Sequence, residues 1–248
     1  MASFTPTVPA PHPTTSRGKR GDLPPIVGSG GGGRPDPGSP DYGARLRRAR
    51  LGLAAALTPI GMLFVAFTSA YIVRQGMPTF DPHTNTVVHD WIPVPLPTVL
   101  FLVNTCVLLL SSVTLECARR QLARQVALEP VNSIPGVSLG RERKLPWLAL
   151  TIVLGLCFLV GQWLAWSELA TRGFYVATNP SSSFVYLLTG GHAVHLLGGI
   201  IALLAAGAAV MLHRPLASRR VVVDTTAWYW HFMALLWIYI LALLEFAH

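Results

Sequence analysis

Five long apolar runs constrain this chain more than any other feature of its sequence. They cover roughly 51–73, 96–117, 145–167, 183–212 and 226–247. An α-helix rises 1.5 Å per residue, so about 20 apolar residues suffice to cross the hydrocarbon core of a bilayer. Inside lipid the backbone must satisfy its own hydrogen bonds, which a helix does within one segment. The sequence therefore predicts an all-α integral membrane protein, a bundle of five transmembrane helices.

The composition agrees with this fold class. Hydrophobic residues make up 52% of the 248, charged residues only 12%, and the mean hydropathy is +0.49. Soluble domains carry roughly 25% charged residues, so these values exclude a soluble globule and a disordered chain. The segments between the runs are too short for a second folded domain.

The basic residues indicate the orientation. Lys and Arg total 19 against 11 Asp and Glu. Eight precede the first run, six lie between the second and third, and three lie between the fourth and fifth; only Arg74 and Arg172 fall on the other side. Cytoplasmic loops are enriched in Lys and Arg, which predicts an N-terminus on the cytoplasmic side of the membrane and a C-terminus on the opposite side. The positive charge is thereby explained without a nucleic-acid partner.

The sequence before the first run differs from the rest. Its prolines, glycines and basic residues include no apolar block, and such a segment cannot repay the entropy of ordering. We expect a disordered cytoplasmic tail over 1–45 and a transmembrane domain over 46–248.

Three histidines lie within the predicted spans. His192 and His195 share a face of the fourth helix, and His231 lies on the fifth. Counted from the span ends, His195 and His231 lie at similar depth and would be able to meet. Ionisable groups at membrane depth are functional candidates, and two interpretations compete: haem or metal ligation, or interhelical contacts. Glycines beside the pair favour close helix packing and argue against a porphyrin-sized gap.

Other polar and small residues read as lipid-contacting or helix-packing candidates. Gly198 begins a small-residue stripe on the fourth helix, which we expect to pack against the aromatic block of the fifth. Glu116 is expected to pair with Arg119 and Arg120. Asp224 is expected to cap the N-terminus of the fifth helix. Trp228 and Trp230 are assigned to an interfacial aromatic belt.

The sequence shows no recognisable catalytic arrangement. It contains no Ser/His/Asp set, carboxylate dyad or phosphate-binding loop, and its three cysteines lack a metal-binding spacing. We therefore expect no catalytic, cofactor or metal residue in this chain and no soluble substrate of its own.

Four strings resemble one family. Residues 227–239 read AWYWHFMALLWIY, residues 189–198 read TGGHAVHLLG with a Gly-His-x-x-His element, residues 104–112 read NTCVLLLSS, and residues 68–74 read TSAYIVR. In this order they resemble subunit III of haem-copper terminal oxidases, the cytochrome c oxidase family, in a five-helix bacterial form. The resemblance runs from about Arg48 to the C-terminus.

The resemblance implies a role in aerobic electron transport and proton pumping. Subunit III carries no haem or copper, which lie in subunits I and II. It packs on subunit I, binds structural phospholipid, and supports assembly, proton uptake and durability. Carboxylates common in relatives are replaced here by Ile60, Val99 and Ala234, which weakens a direct role in proton transfer. Two N-terminal helices of larger relatives are also missing.

Other functions remain open on the sequence. One variant is an accessory subunit of a quinol oxidase or a nitric oxide reductase. A haem-binding membrane cytochrome would use the three histidines. A carrier or channel would need a charged pathway across the bilayer, which the spans lack.

Overall fold

The structure, a computed structural model, describes residues 42–81, 85–88, 91–132, 146–212 and 216–246. The tail predicted to be disordered covers residues 1–45, of which 1–41 lie outside the described residues. Its last four residues, 42–45, are already helical.

Five helices make up the described chain. They are α1 (Tyr42–Gly76), α2 (Thr98–Asn132), α3 (Pro146–Thr171), α4 (Pro180–Met211) and α5 (Leu216–Phe246). Between α1 and α2, a small antiparallel hairpin joins β1 (Thr79–Asp81) to β2 (Thr86–Val88), with Phe80 opposite Val87. All five helices are long and apolar enough to cross a membrane, which confirms the predicted fold class.

The helices extend beyond the apolar runs. α2 continues to Asn132, well past 117, and α5 begins at Leu216 and not near 226. Counting apolar residues finds only the part of a helix suited to hydrocarbon, whereas hydrogen bonding continues through the polar ends. Asp224 consequently lies inside α5, and the prediction that it caps this helix is wrong.

The N-terminus of α4 has a clear local cause. Pro180 occupies the first turn, where its missing N–H costs nothing. Just before it, the backbone N–H of Asn179 donates to Ser182 Oγ at 3.2 Å, as in a capping box. Pro180 and the hydrogen bond from Asn179 to Ser182 therefore start α4 at residue 180, three residues before the predicted span begins.

α5 lies at the centre of the bundle and α1 at its edge. α5 packs against α1, α2 and α4, while α3 packs against α2 and α4. In the apolar window of α5, 44% of residues are buried, against 11% in α1. Most of the surface of α1 is therefore free to contact lipid or a partner.

Candidate functional site

Trp230 joins four helices at the centre of the bundle. Its side chain, on α5, is fully buried, and its indole N–H donates to Ser111 Oγ of α2 at 2.9 Å. A Cβ added to Gly155 of α3 would lie 2.8 Å from the indole, and one added to Gly199 of α4 would lie 3.2 Å from it. Both glycines are needed because the ring fills the space a side chain would occupy. We call this arrangement the Trp230 wedge.

The wedge confirms one prediction and corrects two. The glycines of α4 do pack against the aromatic block of α5. Trp230, however, is a core residue and not part of an interfacial belt, whereas Trp228 is 53% exposed. The packing glycine is Gly199: Gly198 is exposed, and a Cβ there would make only ordinary contact, 3.8 Å from Tyr229 Oη. The spacing of small residues identified a stripe without showing which edge of it faces α5.

A second polar arrangement joins α1, α2 and α5. Asp224, 7% exposed, accepts from Arg50 of α1, with Oδ2 2.9 Å from Nη2, and from Arg119 of α2, with Oδ1 3.1 Å from Nη1. Arg119 also contacts Glu116 at 2.7 Å. We call Arg50, Glu116, Arg119, Arg120, Asp224 and His231 the charged cluster.

The outer members of the charged cluster gather around Glu116. Arg120 Nε lies 2.8 Å from Glu116 Oε1, and His231 Nε2 lies 3.7 Å from Oε2. The predicted pairing of Glu116 with Arg119 and Arg120 is confirmed. The forked guanidinium of Arg119 contacts both carboxylates, which is why one arginine can bridge two helices. The cluster therefore fixes the mutual position of three helices.

The three histidines face different neighbours. The ring of buried His192 lies 5.1 Å from that of Trp237 and 5.9 Å from that of Phe158. The ring of His195 lies 5.9 Å from that of Phe64, on α1. His231 contacts Glu116 on α2. The described partners of His195 and His231 thus lie on different helices. The predicted contact between these two histidines is not among the described contacts.

His195 makes two further contacts through backbone groups. Its Nδ1 lies 2.7 Å from the carbonyl oxygen of Gly191, one turn earlier on the same helix. Its own carbonyl oxygen accepts from Tyr229 Oη of α5 at 2.8 Å. Within the described ranges, no group of three or more His, Cys, Asp or Glu side chains is placed to hold a metal ion. The histidines contribute to packing between helices.

Three buried or partly buried polar residues are not among the residues predicted from the sequence. Arg50 is one of the eight basic residues that precede the first run, and its contact with Asp224 has no local signal. Asn104 and Gln162 are 3% and 1% exposed. An uncharged amide inside an apolar run is also a signal of interhelical contact, as an ionisable group is.

The fold and the site together define the class of protein. Five apolar helices are joined through a tryptophan wedge and a charged cluster, and this is a multi-pass membrane protein. A profile of the family described as "Cytochrome c oxidase subunit III" matches residues 46–246. The chain belongs to this family.

Individual relatives agree. A cytochrome c oxidase subunit 3 from Thermostichus vulcanus is 28% identical over 197 residues, covering 78% of this chain and 85% of that relative. One from Branchiostoma lanceolatum is 29% identical over 196 residues, covering 77% and 66%. A probable cytochrome c oxidase subunit 3 from Mycobacterium leprae is 29% identical over 100 residues, covering 40% and 50%. The chain thus spans about half the length of some curated relatives and most of others.

Proposed function

We propose that this chain is the non-redox subunit III of a respiratory haem-copper oxidase. It packs on subunit I of a complex that also holds subunit II, and it supports assembly and proton uptake. Haem and copper are bound by those partner subunits. Beside family membership, one observation carries the proposal. The polar side chains of Trp230, Asp224 and Glu116 contact neighbouring helices of the same bundle.

The charged cluster supports the proposed orientation. Arg50 lies near the N-terminus of α1, Arg119 towards the C-terminus of α2, and Asp224 near the N-terminus of α5, so these residues share one end of the bundle. Of the eleven basic residues that the structure describes, nine lie at this end, as expected at a cytoplasmic face. This distribution supports the proposal of a bacterial inner-membrane protein with a cytoplasmic N-terminus and a periplasmic C-terminus.

The docking surface for subunit I is a groove on α1. It has a volume of about 660 Å³ and continues onto Phe232 of α5. Small side chains recur along it at helical spacing, at Ala54, Thr58, Gly61, Ala66 and Ser69. Small residues let two helix backbones approach closely in lipid. A transmembrane helix of the partner is therefore the occupant that fits this surface.

A phospholipid is proposed at the basic end of the same surface. Arg50 and Arg120 keep 47% and 73% of their side-chain surface exposed while paired with acids. Guanidinium groups at a membrane boundary bind phosphate well, and the apolar wall of α1 continues from Arg50 toward the bilayer centre. Native mass spectrometry of the Arg50→Gln and Arg120→Gln double variant is expected to show loss of a bound phospholipid, and an unchanged lipid count would contradict this site.

Purification of the tagged chain from its own membranes tests the functional proposal. We expect larger subunits to co-purify, with a visible spectrum showing haem in the complex and no Soret band in the chain once separated. A Soret band retained by the separated chain would overturn the non-redox assignment in favour of a membrane cytochrome. Purification without any haem-containing partner would overturn the oxidase assignment.

A further inference from the structure

Gln162 of α3 and His192 of α4 lie at the same level of the bundle. One turn away, Trp166 Nε1 of α3 donates to Thr189 Oγ1 of α4 at 3.0 Å. The two helices run antiparallel. Gln162 lies about one turn before Trp166 on α3, and His192 lies about one turn after Thr189 on α4, so the two residues come to the same level. Phe158, one turn before Gln162 on the same face, contacts the His192 ring.

Asn104 of α2 reaches the same level. A Cβ added to Gly161 would lie 2.4 Å from Asn104 Oδ1, so the Asn104 amide packs against the residue that directly precedes Gln162 on α3. On the remaining side, the Trp237 ring of α5 covers His192 and donates its N–H to Thr105 Oγ1 at 2.9 Å. We call Asn104, Gln162 and His192 the polar layer.

The polar layer is buried but its hydrogen bonds are incomplete. The three side chains are 3%, 1% and 0% exposed. Five of their atoms have no hydrogen-bond partner among the residues that the structure describes: Asn104 Nδ2, both polar atoms of Gln162 and both ring nitrogens of His192. Burying such groups unpaired is costly, and proteins satisfy nearly all of them with protein or with water.

We propose that the polar layer binds ordered water in the core of the bundle. The amides offer N–H donors and a carbonyl acceptor, and a neutral imidazole offers one donor and one acceptor in either tautomer. Water both donates and accepts and needs two to four polar partners, which this layer supplies from three helices. A divalent cation fits poorly, because the layer contains neither a carboxylate nor a thiolate. Bound water would tie α2, α3 and α4 together where side chains do not reach one another.

A density map of the wild-type complex in lipid nanodiscs, at a resolution that shows water, tests the proposal directly. We expect a water peak about 2.7–3.2 Å from polar atoms of both Gln162 and His192. A map in which the Gln162 amide bonds directly to the His192 ring, with no water between, would overturn the proposal. So would a peak with the short ligand distances of a metal ion.

A double-mutant cycle gives an independent test. Gln162→Met and His192→Phe each leave the other members of the layer without their water, and each is expected to lower the Tm of the purified complex by about 2–4 °C. The double variant removes both partners of the water, so its Tm is expected to be no lower than that of the less stable single variant. Additive losses in the double variant would contradict a shared water.

Thr151 provides the matched control for the cycle. It lies in another layer and bonds directly to Thr114, with the two hydroxyl oxygens 2.8 Å apart. The losses from His192→Phe and Thr151→Val are expected to add. Coupling of the same size in this pair would show that the effect is general to the core and would overturn the water assignment. The cycle measures stability and does not depend on oxidase activity, so it can fail while the proposed function stands.

Discussion

At Gly199 a single hydrogen atom in place of a side chain allows α4 to approach α5. A Cβ there would lie 3.0 Å from Tyr229 Cε1 and 3.2 Å from the Trp230 ring. Trp230 is fully buried, and Tyr229 is held by its hydrogen bond to the His195 carbonyl oxygen. Gly199→Ala is therefore expected to destabilise the bundle by about 1–3 kcal/mol, the usual cost of overpacking. The measurement is the free energy of unfolding in mixed micelles.

The neighbouring glycine is a matched control. Gly198→Ala places a methyl group in ordinary contact, 3.8 Å from Tyr229 Oη, and should leave the free energy of unfolding nearly unchanged. Equal losses from the two variants would contradict the account of the Trp230 wedge.

Asp224 contributes more than an exposed ion pair, because it is nearly buried and accepts from arginines on two other helices. Asp224→Asn preserves the shape and removes the charge, leaving Arg50 and Arg119 with weaker partners. We expect a loss of about 1–3 kcal/mol, less than for a fully buried pair because both guanidinium groups are partly exposed.

The comparison is with Glu168→Gln, also measured by unfolding in mixed micelles. Glu168, near the C-terminus of α3, pairs at the surface with Arg172 just beyond the end of that helix, so the loss from this variant should stay below about 1 kcal/mol. A cost for Glu168→Gln that matches or exceeds that for Asp224→Asn would argue against an interhelical role for the charged cluster.

Among the helices, α1 is the one whose surface the rest of the chain covers least. If its groove receives a partner helix, filling the groove should weaken the complex without unfolding the chain. Gly61→Leu is expected to reduce the amount of this subunit that stays bound to the core through detergent washing, by severalfold. Among the residues that the structure describes, a Cβ at Gly61 has only Phe232 within 4 Å, at 3.9 Å, so the bundle itself should tolerate the change.

Gly52→Leu on the same helix serves as the control, because a Cβ there meets nothing within 4 Å in the described part of the chain and Gly52 lies outside the groove. It should leave the retained fraction unchanged. If both variants dissociate equally, or if neither does, the groove is not the docking surface.

The elements also show how far sequence reasoning extends. Apolar run length alone predicts all five helices, because the hydrocarbon core sets a minimum span. It misses the start of α5 by about ten residues, since polar helical turns outside that core leave no signal in hydropathy. For the same reason Asp224 reads as a cap, although it lies inside a helix.

The individual contacts of the candidate site are predictable only between neighbours on one helix, whereas for α4 and α5 the sequence predicts that two faces pack without identifying the residues in contact. The pairing of Glu116 with Arg119 and Arg120 follows from spacing along α2. The partners of Trp230 and Asp224 come from other helices, and their choice depends on how each helix is rotated about its axis. Gly198 and Gly199 lie about 100° apart around the axis of α4, and the spacing of small residues does not show which of the two faces α5.

In the whole molecule, Trp230 and Asp224 join the helices of one bundle, and the proposed function assigns the redox chemistry to partner subunits. On that proposal, removing this chain should leave the redox centres of the complex in place. Its loss should appear instead in how long the partner keeps working, because proton uptake and structural support would be impaired.

The most direct measurement compares membranes with and without this chain, recording the haem spectrum and copper content together with oxygen consumption during sustained turnover. We expect haem and copper per core complex to be unchanged while oxygen consumption decays faster without the chain, and re-expression of the chain should restore the slower decay. Loss of a haem or copper signal from an otherwise assembled core would contradict the central claim, as would turnover of unchanged duration.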